Sequence, residues 1–242
     1  MAYPRAEDEI LGLRKLFPRV LFPLLFLALL LIGLLGSLWL YRKPAETPSE
    51  HEAYIAPQPP SPSRSPRVGL VAGHLGHDSG AVCADGLTEV EVNTAIAREV
   101  ARRLEALGYT VDVLEEFDER LHGYRAAALL SIHADSCEYI NELATGFKVA
   151  RAQADAVPER SDRLVACLIS AYGRSTGLRF HKDSITYDMT DYHAFREIAA
   201  ETPAAIIEIG FLYLDRDLLT RGRERVVEGI VEGLRCFLEE GR

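Results

Sequence analysis

Three short apolar segments, each followed by an ionisable residue, constrain the fold of this chain more than any other feature. The segments and the residues after them are 68–72 with His74, 129–132 with His133, and 204–207 with Glu208. Apolar runs of this length are typical of buried strands. Because open α/β folds place their sites at the carboxyl ends of strands, the three ends predict one shared site.

Helical periodicity lies between and after these predicted strands. In the first helical segment Val92, Ile96, Val100 and Leu104 recur every four residues, and Gly108 follows as a terminating glycine. We predict helices at 89–107, 118–128, 161–173 and 223–238, and further strands at 109–114 and 146–150. Strands that alternate with helices predict an α/β domain with a mostly parallel twisted sheet covered by helices on both faces.

The N-terminal part has a different composition from this domain. Residues 20–41, from Val20 to Tyr41, contain no charged residue, and a helix of about 20 apolar residues crosses a bilayer core of about 30 Å. A secretory signal is the alternative, but its apolar core would be about 7–15 residues long, and no convincing cleavage site follows Leu40. We therefore predict an uncleaved transmembrane helix that inserts this chain into a membrane.

The predicted organisation has four parts. They are a short cytoplasmic tail at 1–19, the transmembrane anchor at 20–41, a linker rich in Pro and Ser at 42–66, and the folded domain at 67–242. Lys and Arg are in slight excess before the apolar span, which favours an N-terminus in the cytoplasm. The folded domain is therefore expected on the extracytoplasmic side.

Charge and cysteine content exclude two classes of protein. The net charge of −9 gives a nucleic-acid partner no electrostatic support. The four cysteines, Cys83, Cys137, Cys167 and Cys236, are scattered without a C-x-x-C pair, which argues against a zinc finger. We interpret most of them as free thiols or small apolar core residues. Export would permit a disulfide, but the sequence does not select a pairing.

Four motifs resemble a known family when they are taken in order. GHLGHDSGAV from Gly73, GLTEVEVN from Gly86, SIHAD from Ser131 and TPAAIIEIGF from Thr202 are similar to motifs of the zinc-dependent N-acetylmuramoyl-L-alanine amidases of the type 3 family. The resemblance covers roughly residues 68–238. It implies an enzyme that cuts the amide between N-acetylmuramic acid and L-alanine in bacterial peptidoglycan, with zinc as cofactor. Because this substrate lies outside the cytoplasm, the resemblance also supports an extracytoplasmic domain on the bacterial cell membrane.

The resemblance also assigns roles to individual residues. His74, Glu89 and His133 match the family's zinc ligands, and two imidazoles with one carboxylate leave one position of a zinc ion open. Glu208 matches the catalytic glutamate, which would take a proton from the attacking water and then protonate the departing amine. Taken alone, each histidine would more often be an ordinary loop residue, so the assignment depends on the combination.

Other polar residues near the motifs have less defined roles. We interpret His77 as a loop residue beside the site, because the family motif has no ligand at that position. The residues expected to support the ligands or contact substrate are Asp78, Asp135, Arg125 and His193. Metal-bound imidazoles commonly donate to a carboxylate, which is the role expected for the two aspartates.

Two other functions compete with the amidase. A zinc peptidase would normally carry His-x-x-Glu, whereas the third residue after His74 is His77. A catalytically silent wall-binding module would need none of the ligands or Glu208. The chain departs from the family at Leu75, where Gly is more usual, and at Leu212-Tyr213, where many relatives have Ser-Asn, so substrate preference stays open. The sequence identifies no protein activator.

Overall fold

The structure, a computed structural model, describes residues 65–239 together with residues 29, 30 and 37. The predicted tail, anchor and linker therefore lie almost wholly outside the described residues. Within the described part of the chain, no helix has both the length and the apolar character needed to cross a membrane.

A five-stranded sheet forms the centre of the domain. Its strands are β1 (Arg67–Ala72), β2 (Thr110–Leu114), β3 (Ala128–Asp135), β4 (Lys148–Ala150) and β5 (Ala204–Phe211). They are ordered β2-β1-β3-β5-β4, and all pairs are parallel except β4 with β5. The predicted mostly parallel sheet is confirmed, and the carboxyl ends of β1, β3 and β5 form what we call the carboxyl edge.

Helices follow the strands along the chain. Within residues 65–239 the α-helices are α1 (Glu89–Ala106), α2 (Pro158–Thr176), α3 (Tyr187–Thr190), α4 (His193–Glu197), α5 (Arg216–Thr220) and α6 (Arg223–Glu239), with 3-10 turns at Glu119–Leu121 and Lys182–Ser184. The three long helices were predicted from periodicity. They differ from the prediction only at their ends, where hydrogen bonding extends or shortens a helix by a few residues.

The two faces of the sheet are covered by different kinds of element. Leu70 and Ile207 of the strands pack against Ile96 of α1 and Leu234 of α6 on one face. On the other face, the strands pack against α3, α4 and the 3-10 turn that contains Leu121. Both faces are buried as predicted, but the three long helices all lie on the same face.

The helix predicted at 118–128 is wrong. A single 3-10 turn, Glu119–Leu121, forms there, and β3 begins at Ala128. Gly123 has a φ of 69°, a left-handed conformation that ends helical geometry. Leu121 and Tyr124 instead pack beneath the sheet, so burial decides the path of this segment rather than helix propensity.

The interpretation of the cysteines as mostly free is also wrong, because all four form disulfides. Cys83 pairs with Cys137 and Cys167 pairs with Cys236, with Cα–Cα distances of 5.2 and 5.8 Å. Such distances are typical of disulfides. The first joins loops that follow the neighbouring strands β1 and β3, and the second joins the packed helices α2 and α6. The sequence alone shows neither proximity.

Candidate active site

Three of the residues singled out by the motifs meet at the carboxyl edge. His74 follows β1, His133 lies within β3, and Glu89 is the first residue of α1. His74 Nε2 and His133 Nδ1 lie 3.2 and 3.3 Å from the same oxygen, Glu89 Oε1. One ligand atom from each residue lies within 4.8 Å of the other two, a spacing that could hold a metal ion.

Glycines make room for this convergence. A Cβ on Gly73 would lie 2.5 Å from the His133 ring, and a Cβ on Gly80 would lie 2.6 Å from Glu89 Oε2. Gly80 also has a φ of 59°, which disfavours other residues. The glycines of the first motif are therefore needed because the loop backbone passes directly against the ligand side chains.

Glu89 is a buried carboxylate with a complete set of donors. Its side chain accepts hydrogen bonds from the backbone N–H groups of Ala81 and Ala134, each at 3.1 Å, and from Asn93 Nδ2 at 3.1 Å. Burial would raise the pKa of Glu89, but hydrogen bonds from His133 and His74 and from the amides outweigh it. Its pKa is therefore well below the usual range, and the residue is ionised.

Glu91, two residues further on, has a different role. Its Oε2 accepts the N–H of Thr88 at 2.9 Å, and its own N–H donates to Thr88 Oγ1, which forms a capping box at the start of α1. The two acids of this motif are therefore separated in function by the helix: Glu89 faces the site and Glu91 caps the N-terminus.

Each imidazole also faces a carboxylate on its outer side. Asp78 Oδ1 lies 2.6 Å from His74 Nδ1, and Glu116 Oε2 lies 3.5 Å from His133 Nε2. Burial alone would lower the pKa of His133. The hydrogen bonds to Glu116 and Glu89 outweigh burial and raise this pKa from 6.5 to about 10. The hydrogen bond to Glu89 raises the pKa of His74 against the effect of burial.

The donor set fits a zinc ion. Two imidazole nitrogens and one carboxylate oxygen converge, and the outer nitrogen of each ring faces a carboxylate, as is usual around metal-bound histidine. The carboxylates that raise the pKa of both histidines make this centre anionic, a charge that a metal cation would balance. His77 is exposed, and its ring packs against Phe117 with a 4.6 Å centroid distance, outside the converging group.

Glu208 lies beside this group on the sheet. It is the register neighbour of His133 on β3 and of Lys148 on β4, so the three side chains share one face of the sheet. Its Oε2 is buried without a hydrogen-bond partner in the described residues. Burial raises the pKa of Glu208 to about 7, with Asp135 and Glu89 adding to the rise and His133 and Lys148 opposing it. A carboxylate of near-neutral pKa can both accept and return a proton.

The four supporting residues predicted from the sequence lie in different places. Asp78 contacts His74, as described above. Asp135 forms an ion pair with Lys148, and within the described residues it makes no hydrogen bond to a ligand imidazole. Arg125 precedes β3 at the opposite end of the sheet and pairs with Glu201 at 2.9 Å on the surface.

His193 reaches the site only through another residue. Its Nε2 lies 3.0 Å from Glu116 Oε1 and its Nδ1 lies 2.8 Å from Glu197. Sequence reasoning missed Glu116, which is 6% exposed, and Tyr192, whose hydroxyl donates to Glu116 at 2.8 Å. The signal for Glu116 was present, because it follows the strand predicted at 109–114 just as Glu208 follows its strand.

Comparison with known proteins agrees with this geometry. The family profile described as N-acetylmuramoyl-L-alanine amidase matches residues 68–236. N-acetylmuramoyl-L-alanine amidase AmiC of Neisseria meningitidis serogroup B is 42% identical over 82 residues, which cover 30% of this chain and only 20% of that protein. This chain therefore matches about a fifth of that relative's length.

Solved structures share the fold. The N-acetylmuramyl-L-alanine amidase Ami1 of Mycobacterium smegmatis has a TM-score of 0.59 at 20% identity, covering 72% of this chain and 97% of that one. The CwlD amidase of Clostridioides difficile, solved in complex with the GerS lipoprotein, has a TM-score of 0.58 at 20% identity, covering 73% and 100%. With the family profile spanning nearly the whole folded domain, the chain belongs to the N-acetylmuramoyl-L-alanine amidase family.

Proposed function

We propose that this chain is a zinc-dependent hydrolase that cuts the amide between N-acetylmuramic acid and L-alanine of bacterial peptidoglycan, in cell-wall remodelling or cell separation. The observation that carries the proposal is the convergence of His74, Glu89 and His133 within 4.8 Å at the carboxyl edge. Glu208 is the register neighbour of His133 on the same edge. Family membership supports the choice of substrate.

The three converging residues would hold the zinc ion through His74 Nε2, a Glu89 oxygen and His133 Nδ1. A bound zinc ion supplies Lewis-acid chemistry, because it polarises a carbonyl and lowers the pKa of water. The chain's own part is to keep both imidazoles oriented and Glu89 ionised, which the hydrogen bonds to Ala81, Ala134 and Asn93 achieve.

Glu208 would carry the proton of the reaction. Its buried Oε2 would accept a proton from the attacking water and then give it to the amine that leaves. A pKa of about 7 suits both directions of transfer near neutral pH. The adjacent ion pair of Lys148 and Asp135 places one positive and one negative charge beside this carboxylate, which limits the net change of its pKa.

We further propose that the domain acts outside the cytoplasm, on a bacterial membrane that the segment 20–41 crosses once. The two disulfides support this location, since structural disulfides persist in oxidising compartments and are rare in the cytosol. Thiol labelling of intact cells and of lysates separates the alternatives. Domain cysteines that label freely after lysis without reductant would contradict an oxidising location.

The proposed reaction is tested by its product. The 242-residue chain is incubated with purified peptidoglycan, with and without a chelator, and released fragments are identified by mass. We expect free stem peptides that begin at L-alanine, that disappear with chelator and that return when zinc is added. Cleavage inside the stem peptide would instead identify a peptidase, and absence of product from a zinc-loaded chain would favour a binding module.

A further inference from the structure

Glu116, a carboxylate outside all four motifs, holds the segment that carries His74. Its N–H donates to Leu75 O at 2.9 Å, and its Oε2 accepts the His74 N–H at 2.7 Å. His74 has a φ of 69°, which is uncommon for a residue other than glycine. The backbone and the side chain of Glu116 therefore bind adjacent residues of this turn and fix its unusual conformation.

The same carboxylate faces the second histidine. The His133 ring turns Nδ1 toward Glu89 and Nε2 toward Glu116, with Nε2 3.5 Å from Oε2. In the part of the chain that the structure describes, this Nε2 has no closer hydrogen-bond partner. A negative charge at this position favours the tautomer with the proton on Nε2, which leaves the Nδ1 lone pair free to bind a metal.

A second group of residues holds Glu116 in turn. Its Oε1 accepts the Tyr192 hydroxyl at 2.8 Å and lies 3.0 Å from His193 Nε2. Ser131 Oγ donates to the Tyr192 hydroxyl at 3.0 Å, and the Tyr192 ring packs edge-on against His133. A buried charge with this many partners is held in one orientation.

We propose that Glu116 is the positioning residue of the metal centre, acting on His74 through its backbone and on His133 through its outer nitrogen. This inference rests on the proposed zinc site at His74, Glu89 and His133. Glu116 touches neither substrate nor metal; it sets the orientation and basicity of both imidazole ligands. Loss of such an outer partner typically weakens metal binding by about 10–100-fold.

The test measures metal binding rather than turnover. Zinc affinity of the metal-free 242-residue chain is determined by competition with a chromophoric chelator for the unsubstituted chain and for Glu116→Gln. We expect affinity to fall by about 10–100-fold and the absorption spectrum of the cobalt-loaded variant to change, with far-ultraviolet circular dichroism unaltered. Glu115→Gln is the matched control, since Glu115 is the neighbouring carboxylate and is exposed. The Glu115→Gln chain should bind zinc and cobalt like the unsubstituted chain.

The outcomes separate this inference from the proposed function. If the unsubstituted chain binds zinc and Glu116→Gln binds it equally with the same cobalt spectrum, the positioning role is wrong and the zinc site stands. If the unsubstituted chain binds no zinc, both are wrong. Should Glu116→Gln fail to fold, Tyr192→Phe decides, because it keeps the ring against His133 and removes one donor to Glu116. An unchanged affinity and cobalt spectrum in that variant would overturn the proposal.

Discussion

The two disulfides of this domain lie in two regions that differ in what they bury, one beside ionisable side chains and one between apolar helix faces. Cys83–Cys137 links the loop between His74 and Glu89 to the segment just after β3, and thus braces the carboxyl edge. Cys167–Cys236 links α2 to α6 in the layer of long helices on one face of the sheet. One covalent bond therefore lies beside the candidate metal centre, and the other lies between two packed helices.

The helix layer is closely packed and mainly apolar at its centre. A Cβ on Gly229 of α6 would lie 2.9 Å from the Tyr172 Cα of α2, and a Cβ on Gly233 would lie 2.9 Å from the Leu168 side chain. The carboxyl edge instead buries ionisable groups whose partners come from several elements. The helix layer therefore contributes mainly stability, whereas the carboxyl edge uses its buried contacts to hold charges in place.

The largest expected effect is on turnover at the carboxyl edge. Glu208→Gln keeps the shape of the side chain but removes the proton acceptor, so amidase activity on peptidoglycan should fall by about 10²–10⁴-fold. Zinc content, measured on the same sample, should not change, because Glu208 lies outside the converging group.

The control for this change is Glu201→Gln, at the opposite end of the sheet. Within the described residues the Glu201 side chain pairs with exposed Arg125 alone, so this substitution should leave activity unaltered. Activity retained in Glu208→Gln would remove Glu208 from the proposed mechanism. Loss of zinc from that variant would instead show that the two parts of the edge are coupled.

Removing each disulfide separates the two regions directly. Either double substitution, Cys83→Ala with Cys137→Ala or Cys167→Ala with Cys236→Ala, should lower the free energy of unfolding by about 2–5 kcal/mol. Only the first should also weaken zinc binding, because it frees the loop that connects His74 to Glu89 at the start of α1. Denaturant unfolding and chelator competition on the same samples measure both quantities.

Each double variant serves as the control for the other. Equal zinc affinity in both would show that the first disulfide does not brace the metal centre. Weaker zinc binding after removal of Cys167–Cys236 would show that the packing of the helix layer also affects the metal centre, so that the two regions are not independent.

Local patterns in the sequence were sufficient for most of the fold. The helix predicted at 89–107 forms at Glu89–Ala106, because an apolar stripe, a capping Thr88 and Gly108 all specify it locally. The rule that sites form at the carboxyl ends of strands places His74, His133 and Glu208 at one edge, and the structure brings them there.

Features that depend on tertiary contacts were not accessible in this way. The pairing of Cys83 with Cys137 depends on β1 and β3 being neighbours, and spacing along the chain does not show it. The roles of Glu116 and Tyr192 depend on side chains 76 positions apart that meet beneath the sheet. Arg125 was predicted to support the site, although it precedes β3. Residues before a strand of a parallel sheet lie at the end opposite the carboxyl edge.

A smaller effect is expected in the pH dependence of the free energy of unfolding, which should come from the carboxyl edge and not from the helix layer. In metal-free protein the pKa of His133 is raised from 6.5 to about 10, so its stabilising contribution is complete below pH 6.5 and is lost as the pH rises through about 10. Glu208, with a pKa raised to about 7, also favours the folded state less as the pH rises to that value. The free energy of unfolding should therefore fall with rising pH, by at most about 1.4 kcal/mol per pH unit for each group.

Denaturant unfolding of the chelator-treated chain, over the pH range in which Glu208 and His133 titrate, measures whether the free energy of unfolding falls as the pH rises. The zinc-loaded chain should lose less stability, because the metal replaces the protons. The variant without Cys167–Cys236 should show the same pH slope as the unsubstituted chain, since the groups that titrate belong to the carboxyl edge. If the free energy of unfolding of the metal-free chain rose with pH over this range, the raised pKa values of His133 and Glu208 would be wrong.

The smallest effect is expected from Asp78→Asn, the counterpart of Glu116 on the other imidazole. Asp78 Oδ1 faces His74 Nδ1 at 2.6 Å and accepts the Gly80 N–H at 2.8 Å, and an asparagine oxygen can replace it in both contacts. Asp78 is exposed, so solvent screens its charge. Zinc affinity by chelator competition should therefore fall by less than about tenfold, below the range for buried outer partners. A loss equal to that of Glu116→Gln would mean that burial does not distinguish the two carboxylates, and that each imidazole depends on its outer partner to the same degree.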